Sequence, residues 1–260
     1  MTSRERVFRQ ARGEEVDHVP LMGGWFHGVR NLAKLAGLSP DEYLRDPAAS
    51  LIRANRALGI DCMVDPIVPT ELDQVRTAET LESAFENVEP EDIVAVVERI
   101  PQSAAEVLAA FDAAAEEERL RAHLEGRRAL FGDIVVVPNF WEAVPDFHLY
   151  SVYGYRSYFE AMALYPEAVG RIFWRDAVLA RARNGIVARL IEELGLPPLM
   201  FTGGDICNNR GPMCSIAFLR EQYFPHERYA MEPLVEAGIR VVRHCDGDVT
   251  TLVEDFLDVG

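Results

Sequence analysis

Ile134-Val135-Val136-Val137 is a run of four β-branched residues with no polar interruption. Such a run fits a strand covered on both faces, as strands of a parallel sheet are. The stretch from Ala129 to Phe140 therefore reads as a strand, and its neighbours set the fold class. Upstream, Ser103–Leu124 is rich in Ala and Glu and predicts a helix. Downstream, Tyr155–Leu164 and Glu167–Leu194 predict helices parted by Pro166. Pro198–Thr202 then predicts a strand, Ser215–Ala237 a helix broken or kinked at Pro225 and Pro233, Ile239–Cys245 a strand, and Thr250–Leu257 a helix. This alternation argues for an α/β fold of parallel strands joined by right-handed crossovers.

The first hundred residues extend the pattern. Thr2-Ser3-Arg4-Glu5 carries a capping-box signature, and a helix over 3–12 would stop at Gly13. His18–Trp25 predicts a strand entering a loop at Gly23-Gly24. Ser39-Pro40-Asp41-Glu42 opens a helix to Leu58, ended by Gly59, and Cys62–Val68 reads as a second strand. Alternation in Thr80–Val88 and Ile93–Ile100 predicts a hairpin-like insertion. No Pro/Gly/Ser-rich linker interrupts the chain, so residues 1–260 read as a single domain. The strand–helix units number roughly five, against the eight of a closed barrel. Gly260 falls where a helix C-cap glycine would hand the chain on, so the barrel is expected to be incomplete, lacking roughly its last third.

The 260 residues are 49% hydrophobic and 26% charged, an ordinary globular composition. The net charge of −16 repels phosphate backbones and anionic headgroups, so nucleic acid and membranes are poor partners and a small-molecule substrate is the better expectation. No apolar run approaches the roughly 18–20 residues of a membrane span, and the charged opening has no signal-peptide core. The four cysteines form no CxxC pair and read as reduced thiols of a cytoplasmic protein.

In parallel α/β folds ligands gather at the carboxyl ends of the strands. The residues to inspect are then Trp25, His27 and Arg30 after the first strand, Asp65 after the second, and Asn139, Trp141, Glu142 and His148 after the third. Asp205, Asn208, Asn209 and Arg210 follow the fourth strand, and His244, Asp246 and Asp248 the fifth. Strand alternation puts His244 and Asp246 on one side and Cys245 on the other. An imidazole and a carboxylate so spaced can chelate a metal or form a base with its orienter. The same residues also allow a plainer reading, a hydrogen-bonded core histidine with Asp248 capping the next helix. Thr202–Met213 likewise reads either as a ligand loop or as a Gly/Asn-rich turn, with Ser215 as a helix N-cap in both cases.

The chain resembles the uroporphyrinogen decarboxylase superfamily. The resemblance runs through TSRERVFRQARGEEVDHVPL and GLSPDEYLRDPAASLIRANRALGIDCMVDP, and is most specific in GGDICNNRGPMCSIAFLREQYFPHERYAMEPLVEAGIRVVRHCDGDVTTLVEDFLDVG. It implies a TIM (β/α)8 barrel with its site at the carboxyl ends of the strands.

Two chemistries come with the resemblance. Uroporphyrinogen decarboxylases of porphyrin biosynthesis are lyases that work without a cofactor. They pair substrate carboxylates with arginines of an RQAGR segment, where this chain has Gly24-Trp25-Phe26-His27-Gly28-Val29-Arg30 and only Arg30 as a cation. Asp65 is near that branch's catalytic aspartate. The other branch holds zinc-dependent methyltransferases that work with corrinoid proteins and thiols through a His-x-Cys metal site. Here the matching segment is His244-Cys245-Asp246, so Asp246 replaces the cysteine and shifts the site toward harder metals.

The expectation is a methyltransferase acting on a small methylated substrate, with a methoxy or methylamine compound as donor. A corrinoid (cobalamin) would carry the methyl group, and zinc or another divalent metal would be bound by His244 and Asp246, with His148 as third ligand. Asp65, Asp205, His244 and Asp246 would be catalytic, and Trp25, His27, Arg30, His148, Asn208 and Arg210 would contact substrate. The alternatives are uroporphyrinogen decarboxylation through Asp65 and a non-catalytic module that binds a tetrapyrrole or corrinoid.

Overall fold

The computed structural model describes residues 1–24, 26, 28–64, 67–72, 88–131 and 134–260. Its residues group into two compact units, each discontinuous in sequence. Unit 1 comprises Met1–Ala78, Glu118–Asn139 and Leu190–Phe201, and unit 2 comprises Glu79–Glu117, Phe140–Arg189 and Thr202–Gly260.

Unit 1 is built on three parallel strands, β1 (Met22–Gly23), β2 (Cys62–Val64) and β3 (Val135–Val137), in that spatial order. An isolated parallel bridge, Asn139 to Phe201, carries the pattern one step further. Every residue of β2 and β3 is buried, as the β-branched run predicts. Helices Val29–Ala36, Pro40–Arg45 and Pro47–Ala57 cover one face. Their Val29, Leu32, Ala33, Tyr43, Leu51 and Ala54 pack with Met63, Phe131, Ile134 and Val136 into one apolar core.

A second element of unit 1 is ionic. Arg6, in the helix Ser3–Ala11, grips Asp17 with two nitrogens at 2.6 and 2.9 Å and reaches buried Asp61 at 2.5 Å. Burial pushes the Asp61 carboxyl up, but the Leu21 amide, the Ser3 hydroxyl and Arg6 outweigh it and hold it below its ordinary value. The hydrogen bond from Arg6 holds Asp17 far below its ordinary value. Both carboxyls are thus stronger acids folded than unfolded. Their contribution is present above the unfolded value near pH 4 and is lost as pH falls through the lower folded values. The melting temperature of the wild-type chain should drop on acidification below about pH 4, and the drop should be shallower in Asp17→Asn. Melts followed by circular dichroism check this, and equal slopes would contradict it.

Unit 2 carries the strand pair β4–β7, where β4 is Leu199–Gly203 (its last two residues in this unit) and β7 is Arg240–His244. Between them in sequence comes a separate short antiparallel hairpin, β5 (Cys207–Asn208) with β6 (Gly211–Pro212). The long helix Pro166–Glu193 ends outside this unit, but its Ile172, Phe173 and Ala177 are buried within it. Among the described residues no sheet closes on itself, and no helix is long and apolar enough to cross a membrane.

Several sequence expectations are corrected. Residues 29–36, to which the sequence reading gave no element, form a helix capped by Gly37 in the left-handed region (φ 66°). The single helix expected over 39–58 is two, because Asp46 ends one and caps the next, with Pro47 at its first turn. Ile93–Ile100 is no hairpin strand: Pro90–Val97 is a helix opened by a capping box between Glu89 and Asp92. Of the partner strand expected over 80–88, only Val88 is among the described residues. The helix read over 103–124 is Ala104–Leu108 followed by Ala113–Phe131, so Ala129–Phe131 is helix rather than strand.

Candidate metal centre

Asp205, His244 and Asp246 meet at the carboxyl ends of β4 and β7. Each offers one donor atom, and the three atoms lie within 4.8 Å of one another. His244 Nε2 is 3.3 Å from Asp205 Oδ1 and 3.7 Å from Asp246 Oδ1. The backbone N–H of Asp246 donates to Asp205 Oδ1 at 2.7 Å, so one carboxylate oxygen ties the two loops together.

Local structure forces this meeting. The Gly204 N–H donates to the His244 carbonyl at 3.0 Å, joining the ends of the two strands. At Gly203 (φ +144°) a Cβ would fall 2.1 Å from the His244 carbonyl oxygen, so only glycine allows the strands so close. A Cβ on Gly204 would press on His148 Cε1 at 3.3 Å, so the second glycine makes room for that ring.

His148 stands behind Asp205. Its Nε2 accepts the Asp205 backbone N–H at 3.2 Å, and its Nδ1 lies 3.6 Å from Asp146 Oδ1. An accepting Nε2 puts the proton of the neutral ring on Nδ1, facing Asp146. The Asp146 carboxylate facing Nδ1 raises the His148 pKa above its ordinary value, despite partial burial, and His148 lowers that of Asp146 in return. Nε2 is therefore occupied by the Asp205 N–H, and Nδ1 faces the Asp146 carboxylate. His148, expected as the third metal ligand, supports Asp205, and Asp205 is the third donor of the group.

The segment that carries Asp146 and His148 is pinned from several sides. Thr202 Oγ1 donates to the Phe140 carbonyl at 2.7 Å, Asn184 Nδ2 to the Ala143 carbonyl at 2.9 Å, and Tyr223 Oη to the Pro145 carbonyl at 3.1 Å. Phe147 is buried among Tyr158, Phe159, Phe173 and Tyr223. Trp141 meets the His244 ring edge to face at 5.7 Å, and Tyr150 stacks on Tyr155 beside His148.

The other expected site residues fall elsewhere. Asn208 Oδ1 accepts the Arg210 N–H at 2.8 Å, and both residues are exposed at the β5–β6 turn. Asp248 caps the next helical turn through the Thr250 N–H at 3.0 Å, and Ser215 caps the helix after it in sequence-predicted fashion. Arg30 is exposed in the first turn of Val29–Ala36, in unit 1. Trp25, His27 and Asp65 lie outside the described residues. Asp146 and Tyr150 escaped the sequence reading. Asp146-Phe147-His148 has the same i, i+2 spacing of carboxylate and imidazole as His244-Cys245-Asp246, and that was the signal. Comparisons of the chain with family models, with curated proteins and with solved structures gave no match.

Proposed function

We propose that the chain is a (β/α)8-barrel enzyme of the uroporphyrinogen decarboxylase superfamily, on the side of its corrinoid-linked methyltransferases. It transfers a methyl group from a small methylated substrate, with a divalent metal held by Asp205, His244 and Asp246. The observation that carries this reading is the convergence of one imidazole and two carboxylates at the ends of β4 and β7. The donor set fits a divalent ion: a nitrogen and two oxygens suit zinc and also harder metals. Bound there, the ion supplies Lewis acidity to the group that gives up the methyl.

The chain's own residues prepare the site. Asp205 is held on one side by the Asp246 amide and on the other by His148 through its own backbone N–H. Asp146 fixes the His148 ring and its tautomer, so the pair orients Asp205 without joining the donors. Trp141 covers the edge of His244 and offers an apolar surface to the substrate.

Incubating the chain, loaded with zinc, with cob(I)alamin and a panel of methoxy and methylamine donors tests the reading. The expected result is consumption of cob(I)alamin with at least one donor, lost in Asp205→Asn. A metal-loaded wild type inert across the panel would contradict it. Corrinoid binding without transfer would instead point to a carrier-binding module.

A further inference from the structure

A cavity of about 430 Å³ in unit 1 plays no part in the proposed reaction. Ile60 and Asp61 lead into β2 and Ile134 into β3, so the cavity lies at the amino ends of these strands. Three guanidiniums line it: Arg4 from the helix Ser3–Ala11, Arg56 from Pro47–Ala57 and Arg128 from Ala113–Phe131. All three residues are exposed and form its rim. The Arg4 guanidinium lies 4.4 Å over the Phe8 ring and donates through Nη2 to the Gly195 carbonyl at 2.8 Å. Arg128 donates through Nη1 to the Leu194 carbonyl at 2.5 Å. Both are thus docked just past the end of the helix Pro166–Glu193, which fixes where their charge stands. A guanidinium carries five N–H donors, so a bond to one carbonyl leaves donors for a ligand.

We infer that this cavity is a binding site for an organic phosphate, a monoester with an apolar body. The charge of the lining selects the head. Asp61 also lines the cavity, but its carboxylate is met by Arg6 at 2.5 Å and by the Leu21 N–H at 2.9 Å. The arginines therefore leave a local excess of positive charge on a chain whose net charge is −16. Thr2, the N-cap of the helix Ser3–Ala11, lies at the same cavity and brings the positive end of that helix to it. A phosphate monoester carries about −1.5 to −2 charge at pH 7, more than a carboxylate, and its oxygens match forked guanidinium donors.

The floor selects the body. Buried Ile134, Val136 and Leu196, with half-buried Ile60, line it with aliphatic carbon, which a bare inorganic ion would leave in water. The volume falls within the roughly 300–1,000 Å³ of small-molecule sites. Every one of these residues belongs to unit 1, whereas Asp205, His244 and Asp246 belong to unit 2. The inference therefore stands apart from the metal reading.

The test titrates the full chain calorimetrically with phenyl phosphate, inorganic phosphate, benzoate and phenol. Phenyl phosphate should bind at least about tenfold more tightly than each of the others, and added salt should weaken it. Arg4→Gln and Arg128→Gln keep an N–H donor for the carbonyls of Gly195 and Leu194 while removing the charge. Each should weaken phenyl phosphate about tenfold. Arg156→Gln, at an exposed arginine of unit 2, should leave the affinity unchanged. Hydrogen exchange of the wild type, with and without phenyl phosphate, places the ligand independently of any variant. Protection is expected in residues 2–6, 56–61 and 128–136. Inorganic phosphate binding as tightly would overturn the apolar body, and phenol binding as tightly would overturn the anionic head. Benzoate binding as tightly would overturn the choice of phosphate over carboxylate. No binding of phenyl phosphate at about 10 mM would overturn the site itself. So would protection confined to other segments, or full affinity in both arginine variants.

Discussion

Replacing His244 by alanine should weaken divalent-metal binding by more than about a hundredfold, beyond the 10–100-fold that loss of an outer-shell partner costs. His244 brings the one nitrogen of the donor group, with its Nε2 between Asp205 and Asp246. Without it, two carboxylates face each other with no imidazole between them. His148→Ala should cost less, about 10–100-fold, because His148 acts through the Asp205 backbone. Competition against a chromophoric chelator measures both affinities. Equal losses in the two variants would make His148 a ligand, as the sequence reading had it, and would contradict the geometry. Loss in neither would remove the donor group from consideration.

Phe147→Ala should destabilise the chain by about 3–5 kcal/mol, the usual range for emptying a buried aromatic site. Phe147 is 1% exposed and touches four aromatic rings, stacking on Phe173 and meeting Tyr223 edge to face. The surrounding rings are themselves fixed, since Tyr223 is held by the Pro145 carbonyl, so the cavity has little freedom to collapse. Phe159→Ala, at a half-buried ring of the same cluster, should cost distinctly less. Urea denaturation with an unchanged m-value reads both. Because Phe147 sits between Asp146 and His148 in the chain, the same variant should also loosen the support of Asp205. A loss under about 1 kcal/mol would show that this cluster does not anchor the segment.

The elements that could be read from sequence were those whose local signals agreed with their packing. The β-branched run at 134–137 is buried as a run, and Ser215 caps its helix as its position requires. The failures came where two signals competed. Ile93-Val94-Ala95-Val96-Val97 is a short apolar run, and periodicity alone does not separate strand from helix there. Glu89-Pro90-Glu91-Asp92 decides it, with proline in the first turn and acids against the helix dipole. Val29, Leu32, Ala33 and Ala36 have helical spacing, but the helix begins at Gly28 without a side-chain cap, so its start was silent. The donor group was partly legible: His244 and Asp246 share a strand end and one side. That Asp205 rather than His148 completes it depends on the Asp205 N–H occupying Nε2 of His148, and a sequence does not carry that information.

The metal content of the purified wild-type chain tests the central claim most directly. It should be measured by elemental analysis, both as isolated and after dialysis against zinc, cobalt and manganese, with Asp205→Asn beside it. The expected result is about one divalent ion per wild-type chain and a marked loss in the variant. A folded wild-type chain that carries no divalent ion, and takes none up on dialysis, would contradict it.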